Sequence, residues 1–187
     1  MNAESIRNPL CRVLAVLLDY PGEHFARVLD ETETFLGCEP APRPVCEQIL
    51  SVLRWMRGQD PTALQETYVQ TFDLTPRNAL HLTAHLLEEQ DRRRGPALIR
   101  LADHYRAAGL RIAAGELPDY LPAILEFASM LEPQAAAGFL AEADQALAVL
   151  EDNLRSGGSP YALLVDAVRH VAPSSDATPA VAAGAAS

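Results

Sequence analysis

His81 and His85 come first among the residues whose types and spacing could do chemistry. Four residues apart, they share a face if the segment is helical, and two imidazoles on one face can chelate a zinc-sized ion. A hydrolytic zinc helix carries glutamate directly after the first histidine; Leu82 stands there instead, and no third ligand follows. The favoured reading is that these imidazoles, and His104 beside Asp103 on the next helix, hydrogen-bond between elements or face solvent. Cys11 could act as a nucleophile with a distant histidine, but it sits in an apolar stripe, where a thiol behaves as a small hydrophobe. Asp91-Arg92-Arg93-Arg94 reads as a basic patch at a helix end that complements the macrodipole, in preference to a phosphate site. The chain has no G-x-x-x-x-G-K-[ST] loop, no G-x-G-x-x-G and no G-x-S-x-G elbow. No catalytic residue, metal site or cofactor is predicted.

Bulk properties narrow the class further. The chain of 187 residues holds 25 acidic and 15 basic side chains, a formal net charge of -10. Nucleic-acid binding needs a basic footprint and is excluded as the main role. The acidity suits a basic peptide, or it serves solubility alone. Three cysteines, Cys11, Cys38 and Cys46, form no C-x-x-C pair, which fits a reducing compartment and a cytoplasmic location. The apolar run Val13 to Leu18 stops at Asp19 and is too short for a signal peptide. No run approaches the roughly 18 apolar residues of a membrane span.

The elements that must position these residues all carry a helical period. Stripes run through Ile6, Leu10, Val13, Leu14, Leu17 and Leu18, then through Phe25, Val28, Leu29, Phe35 and Leu36. After a proline-rich loop over 37–44, Val45, Ile49, Val52, Leu53 and Met56 give a third helix. Asp60-Pro61 opens a fourth bearing Leu64, Tyr68 and Phe72. A fifth is predicted from Arg77 to Arg93, and a sixth from Gly95-Pro96 to Gly109. Pro118-Asp119 opens a seventh, with Asp119 as its N-cap and Pro122 tolerated in the first turn. A long eighth spans Phe139 to Leu154, and Ser159-Pro160 starts a ninth. The fold class is all-α: a single-domain bundle of about nine helices over residues 1–171, followed by a disordered tail, 172–187, of Ala, Pro, Ser and Thr.

Tyr68-Val69-Gln70-Thr71-Phe72-Asp73 resembles the Y-V-x-T-F-D segment of the NarJ family, the assembly chaperones of respiratory nitrate reductase. Leu17-Leu18-Asp19-Tyr20-Pro21 is similar to the family's opening. The resemblance continues through Leu80-His81-Leu82 and His85, Asp91 to Gly95, and Tyr105 to Leu110. It ends with Glu116-Leu117-Pro118-Asp119-Tyr120-Leu121-Pro122 and Leu125-Glu126-Phe127. Order and spacing agree over roughly Leu10 to Leu131. In the wider TorD-like superfamily an E-P-x-D-H type motif falls here; Glu116, Pro118 and Asp119 match it loosely, and Tyr120 replaces the histidine, which favours the nitrate-reductase branch. The resemblance implies an all-helical cytoplasmic chaperone, not an enzyme. It implies binding to the N-terminal segment of the nitrate reductase catalytic subunit, support of molybdenum cofactor insertion, and delay of membrane attachment. Alternatives are a chaperone for a different molybdenum oxidoreductase, or a histidine-based metalloprotein.

A peptide with apolar and basic residues calls for an apolar trough with an acidic rim. Tyr68, Phe72, Tyr105, Leu117, Tyr120 and Leu121 are the candidate trough, with Pro118 in the same segment. Asp73, Glu116, Asp119 and Glu126 are the candidate rim. On spacing alone, Tyr68 and Phe72, four apart on one face, read as core in preference to trough.

Overall fold

A computed structural model describes residues 8–38, 43–87, 91–112 and 115–171. Nine α-helices lie among them: α1 (Pro9–Leu18), α2 (Phe25–Cys38), α3 (Arg43–Arg57), α4 (Pro61–Tyr68), α5 (Arg94–Ala107), α6 (Leu121–Met130), α7 (Pro133–Ala141), α8 (Asp144–Ser156) and α9 (Ala162–Val171). Strands are absent among the described residues. The predicted tail and the Ile6 position fall outside them.

The most apolar helices sit at the centre. α1 buries Cys11, Val13, Leu14, Ala15, Leu17 and Leu18, and packs along α6, which buries Leu121, Ile124, Leu125, Phe127 and Ala128. α9 lies against α1, α3 and α8 through Leu164, Val165 and Val168. A fully buried leucine is worth about 1.5–3 kcal/mol relative to exposure, so these three helices hold the bundle together. Tyr161 is the largest of the fully buried side chains among the described residues. Its ring meets Trp55, Phe72 and Tyr68 edge-on, with centroids 5.4, 4.9 and 6.2 Å away.

Several boundaries follow the predicted punctuation. Asp60 caps α4, its carboxylate accepting the Thr62 amide at 2.9 Å, and Pro61 opens the helix. Pro122 lies in the first turn of α6, where it removes no ladder bond. Gly109 takes φ +78° just past α5 and lets the Leu110 amide return to the Tyr105 carbonyl. α2 runs to Cys38 and α3 starts at Arg43, so both helices extend into the segment 37–44 predicted as a loop. After Tyr68 the fourth helix widens into a π-helical turn, Val69–Asp73, closed by the Leu74 amide on the Val69 carbonyl.

Other expectations are corrected. The helix predicted from Arg77 to Arg93 does not form over the described residues 77–87 and 91–93. Two short 3₁₀ turns, Pro76–Asn78 and Leu82–His85, stand there, separated by extended backbone at Ala79 and His81. The helical ladder loses to bonds with a distant segment. Leu121 N–H donates to the Leu80 carbonyl (2.8 Å), and Leu82 N–H donates to the Asp119 carbonyl (3.0 Å). The long eighth helix is two helices, because the Ala143 amide bonds three residues back to Leu140 and tightens the turn at Glu142–Ala143. Arg92 to Arg94 sit at the start of α5, at the positive end of its dipole, where they do not complement it.

Candidate functional site

The crossing of the 80–83 and 117–121 segments organises everything around it. His81 and Tyr120 form an isolated antiparallel bridge. Asp119, with no solvent exposure, points its carboxylate across the bridge. It accepts the Thr83 amide at 3.1 Å and the Thr83 hydroxyl, and His81 Nδ1 lies 3.2 Å away. Burial opposes the charge, but the bonds from His81 and Thr83 outweigh it and hold this carboxyl below its ordinary range. Asp119 is therefore not the N-cap of the following helix: α6 begins at Leu121, and its N-cap, Tyr120, makes no side-chain cap bond. Arg94 Nε reaches the Thr83 hydroxyl at 3.1 Å and ties α5 to the same knot.

His81 and His85 do not share a helical face. His85 Nε2 lies 2.7 Å from the Ala79 carbonyl, and burial lowers the affinity of this imidazole for a proton. Among the described residues no group of three or more ligating side chains could hold a metal ion. Burial pushes the Cys11 thiol up to about 12, which leaves it an inert core group.

On one side of the knot lies an aromatic and acidic patch. The Tyr68 hydroxyl donates to the Leu18 carbonyl at 3.2 Å and lies 3.1 Å from the Tyr120 hydroxyl, which donates in turn to Asp19 Oδ1 at 3.1 Å. Burial is the main cause that pushes both hydroxyls well above the phenol range; for Tyr68 the Tyr120 hydroxyl comes next, and neighbouring carboxylates add to both. Asp19 and Asp73 act on Tyr68, and Asp19 and Glu116 on Tyr120, so three carboxylates surround the pair. Tyr20, 47% exposed, meets the Tyr68 ring edge-on at 5.5 Å.

A groove of about 230 Å³ runs beside this patch, lined by Tyr105, Ile112, Ala123, Phe127 and Met130, with Glu116, Glu126 and Arg111 at its edges. Glu126 pairs with Arg12 from α1. Tyr105 forms the floor; its hydroxyl donates to the Pro118 carbonyl at 2.7 Å.

The predicted site residues therefore divide by depth. Tyr68, Phe72, Tyr105, Pro118, Asp119 and Leu121 are buried and build the platform. Asp73, Glu116 and Leu117 are exposed, and Tyr120 and Glu126 are half-buried. Glu116 and Glu126 edge the groove, Glu116 also faces the Tyr120 patch, and Asp73 stands by Tyr68. Asp19 and Tyr20 were missing from the predicted set. Their presence in the Leu-Leu-Asp-Tyr-Pro segment that carries the family resemblance was the available signal.

The described residues form an all-helical bundle with a polar knot where two segments cross and an aromatic, acid-edged groove open beside it. The family model described as "Nitrate reductase delta subunit" matches residues 38–164. The chain is 33% identical over 152 residues to the probable nitrate reductase molybdenum cofactor assembly chaperone NarJ of Bacillus subtilis (strain 168), covering 81% of this chain and 82% of that protein. It is 30% identical over 155 residues to the nitrate reductase molybdenum cofactor assembly chaperone NarJ of Escherichia coli (strain K12), covering 82% and 65%. It is 33% identical over 154 residues to the nitrate reductase-like protein NarX of Mycobacterium tuberculosis (strain ATCC 25618 / H37Rv), covering 82% of this chain but 23% of NarX. The chain belongs to the nitrate reductase delta subunit family. No described helix is long and apolar enough to cross a membrane.

Proposed function

We propose that this chain is a nitrate reductase molybdenum cofactor assembly chaperone. In this reading it acts in the cytoplasm by binding, without catalysis of its own, and holds the N-terminal segment of the client's catalytic subunit. The segment lies across the groove floored by Tyr105 and Phe127. Glu116 receives its basic residues directly and Glu126 by exchange of its Arg12 partner, and Leu117, Tyr120 and Asp73 extend the contact toward Tyr20. Tyr68, Phe72, Pro118, Asp119 and Leu121 act from beneath, by holding the platform in place.

The observation that carries this reading is the acidic edge of an apolar groove in a chain whose relatives are named assembly chaperones. Each apolar anchor supplies about 1.5–3 kcal/mol, and each edge ion pair about 1 kcal/mol or less. Ordering the peptide consumes about 2–5 kcal/mol of that, so binding is reversible, as release of a finished client requires.

The test has two parts. Pull-down from cells making nitrate reductase should recover the catalytic subunit; recovery of none refutes the client. A synthetic copy of that subunit's N-terminal segment should bind the purified chain, and Glu116→Lys or Leu117→Ser should weaken it about fivefold or more. Unchanged affinity in both folded variants refutes the groove assignment.

A further inference from the structure

α5 is the helix least absorbed by the bundle. Of its residues only Tyr105 is buried; Leu98 and Leu101 are half-buried, and Ile99 is 61% exposed. Tyr105 faces the groove described above. Ala97, Arg100, Leu101 and His104, one face at helical spacing, border a different groove of about 270 Å³. Leu86 and Leu87 close it on one side and Phe139 on the other. α5 and α6 thus form a wall with a groove on each side: Ala123 lines one and its neighbour Ile124 the other.

The two grooves differ in charge. Arg92, Arg93 and Arg94 crowd the start of α5, whose first turn holds no acidic residue, and Asp91 offsets only Arg93. Arg94 touches Thr83 on the groove lining, and Arg100 lines the groove itself; neither has a carboxylate partner among the described residues. The positive end of the helix dipole adds to this excess in a chain of net charge -10. Glu142, on the far wall, is the single carboxylate among the lining residues.

We propose that this second groove docks an amphipathic helix of a partner chain, apolar along the face it buries and acidic along the flank that meets α5. A helix fits because the face from Ala97 to His104 runs about 10 Å, two turns of a partner helix laid alongside. Glu142 sets the orientation, since it repels acid on the opposite flank. This docking is independent of what the groove on the other side of the wall holds.

The test uses the full chain and a designed helical probe peptide with leucines at i, i+3, i+4 and i+7 and glutamates along one flank, followed by fluorescence anisotropy. The glutamate probe should bind about tenfold more tightly than the same peptide with lysine in place of glutamate. Arg100→Glu, a change at an exposed position, should abolish or invert that preference. Glu116→Lys, at the other groove, should leave the probe's affinity unchanged. Equal affinity for the two probes, or an unaltered preference in Arg100→Glu, overturns the proposal. So does binding to phosphatidylglycerol vesicles without any binding of the glutamate probe, which would make the basic rim a lipid contact.

Discussion

Replacing Asp119 by alanine tests whether the crossing at Thr83 is the fastening of the site. The carboxylate is completely buried and receives the Thr83 amide, the Thr83 hydroxyl and His81. Thr83 is itself 9% exposed, so its amide has little access to water once the acceptor is gone. Stranding a buried donor costs about 1–3 kcal/mol, and a hydrogen bond to a charged group contributes about 1.5–3 kcal/mol. Relief from burying a carboxylate offsets part of this. The net expectation is a loss of about 3 kcal/mol for Asp119→Ala, and about half that for Asp119→Asn, which keeps an acceptor. Urea unfolding should show a lower midpoint at unchanged slope, and the thermal midpoint should fall by about 6–12 °C. Amide exchange should quicken first at Leu82 and Leu121, whose N–H groups bond across the crossing. A loss below about 1 kcal/mol with unaltered exchange at those amides would refute the reasoning.

Three further outcomes are expected. Alkylation of the native protein followed by mass mapping should leave Cys11 unlabelled until unfolding, while half-buried Cys46 reacts; early labelling of Cys11 contradicts its burial. Gly109→Ala should cost about 1 kcal/mol: no atom lies within 4 Å of the added carbon, so the whole penalty is the φ of +78°. Stability should fall as pH drops below 6.5, because His85 binds a proton less readily folded than unfolded. A second loss follows below about pH 4 as Asp119 is protonated: its carboxyl, held below 3.8, contributes stability above the unfolded value and loses it as pH falls through the folded one. His85→Ala should remove the first phase and leave the second.

The parts of the fold that periodicity governs were legible. α3 buries every position that its apolar stripe marks and α1 buries Val13, Leu14, Leu17 and Leu18 of its own, while Pro61 and Pro122 open helices where a missing N–H costs nothing. The segment from Arg77 to Arg93 was not, because its helix-compatible composition yields to bonds with residues almost forty positions away, which no local pattern encodes. The break at Glu142–Ala143 was hidden by a stripe that continues through it from Leu140 to Leu147. For the candidate site, sequence supplied the residue types but not their depth. Tyr68 and Leu121 share an apolar character with Leu117, yet only Leu117, 40% exposed, is available for contact. Asp119 has the look of a helix cap because a proline follows closely; only the fold reveals that its carboxylate serves another segment.

The π-helical turn at Val69–Asp73 gives this surface a tolerance of altered chain length that a regular helix lacks. A wide turn accommodates one more residue than an α-helix would over the same rise. Removing Gln70 would let the ladder close as an ordinary α-helix, so that the wide turn disappears without rotating what lies beyond it. Phe72 would keep its place against the Tyr161 ring, and Asp73 its place beside Tyr68. One codon lost at this point would therefore spare the phase between core and rim, whereas one lost within α4 would turn the residues beyond it by about 100°.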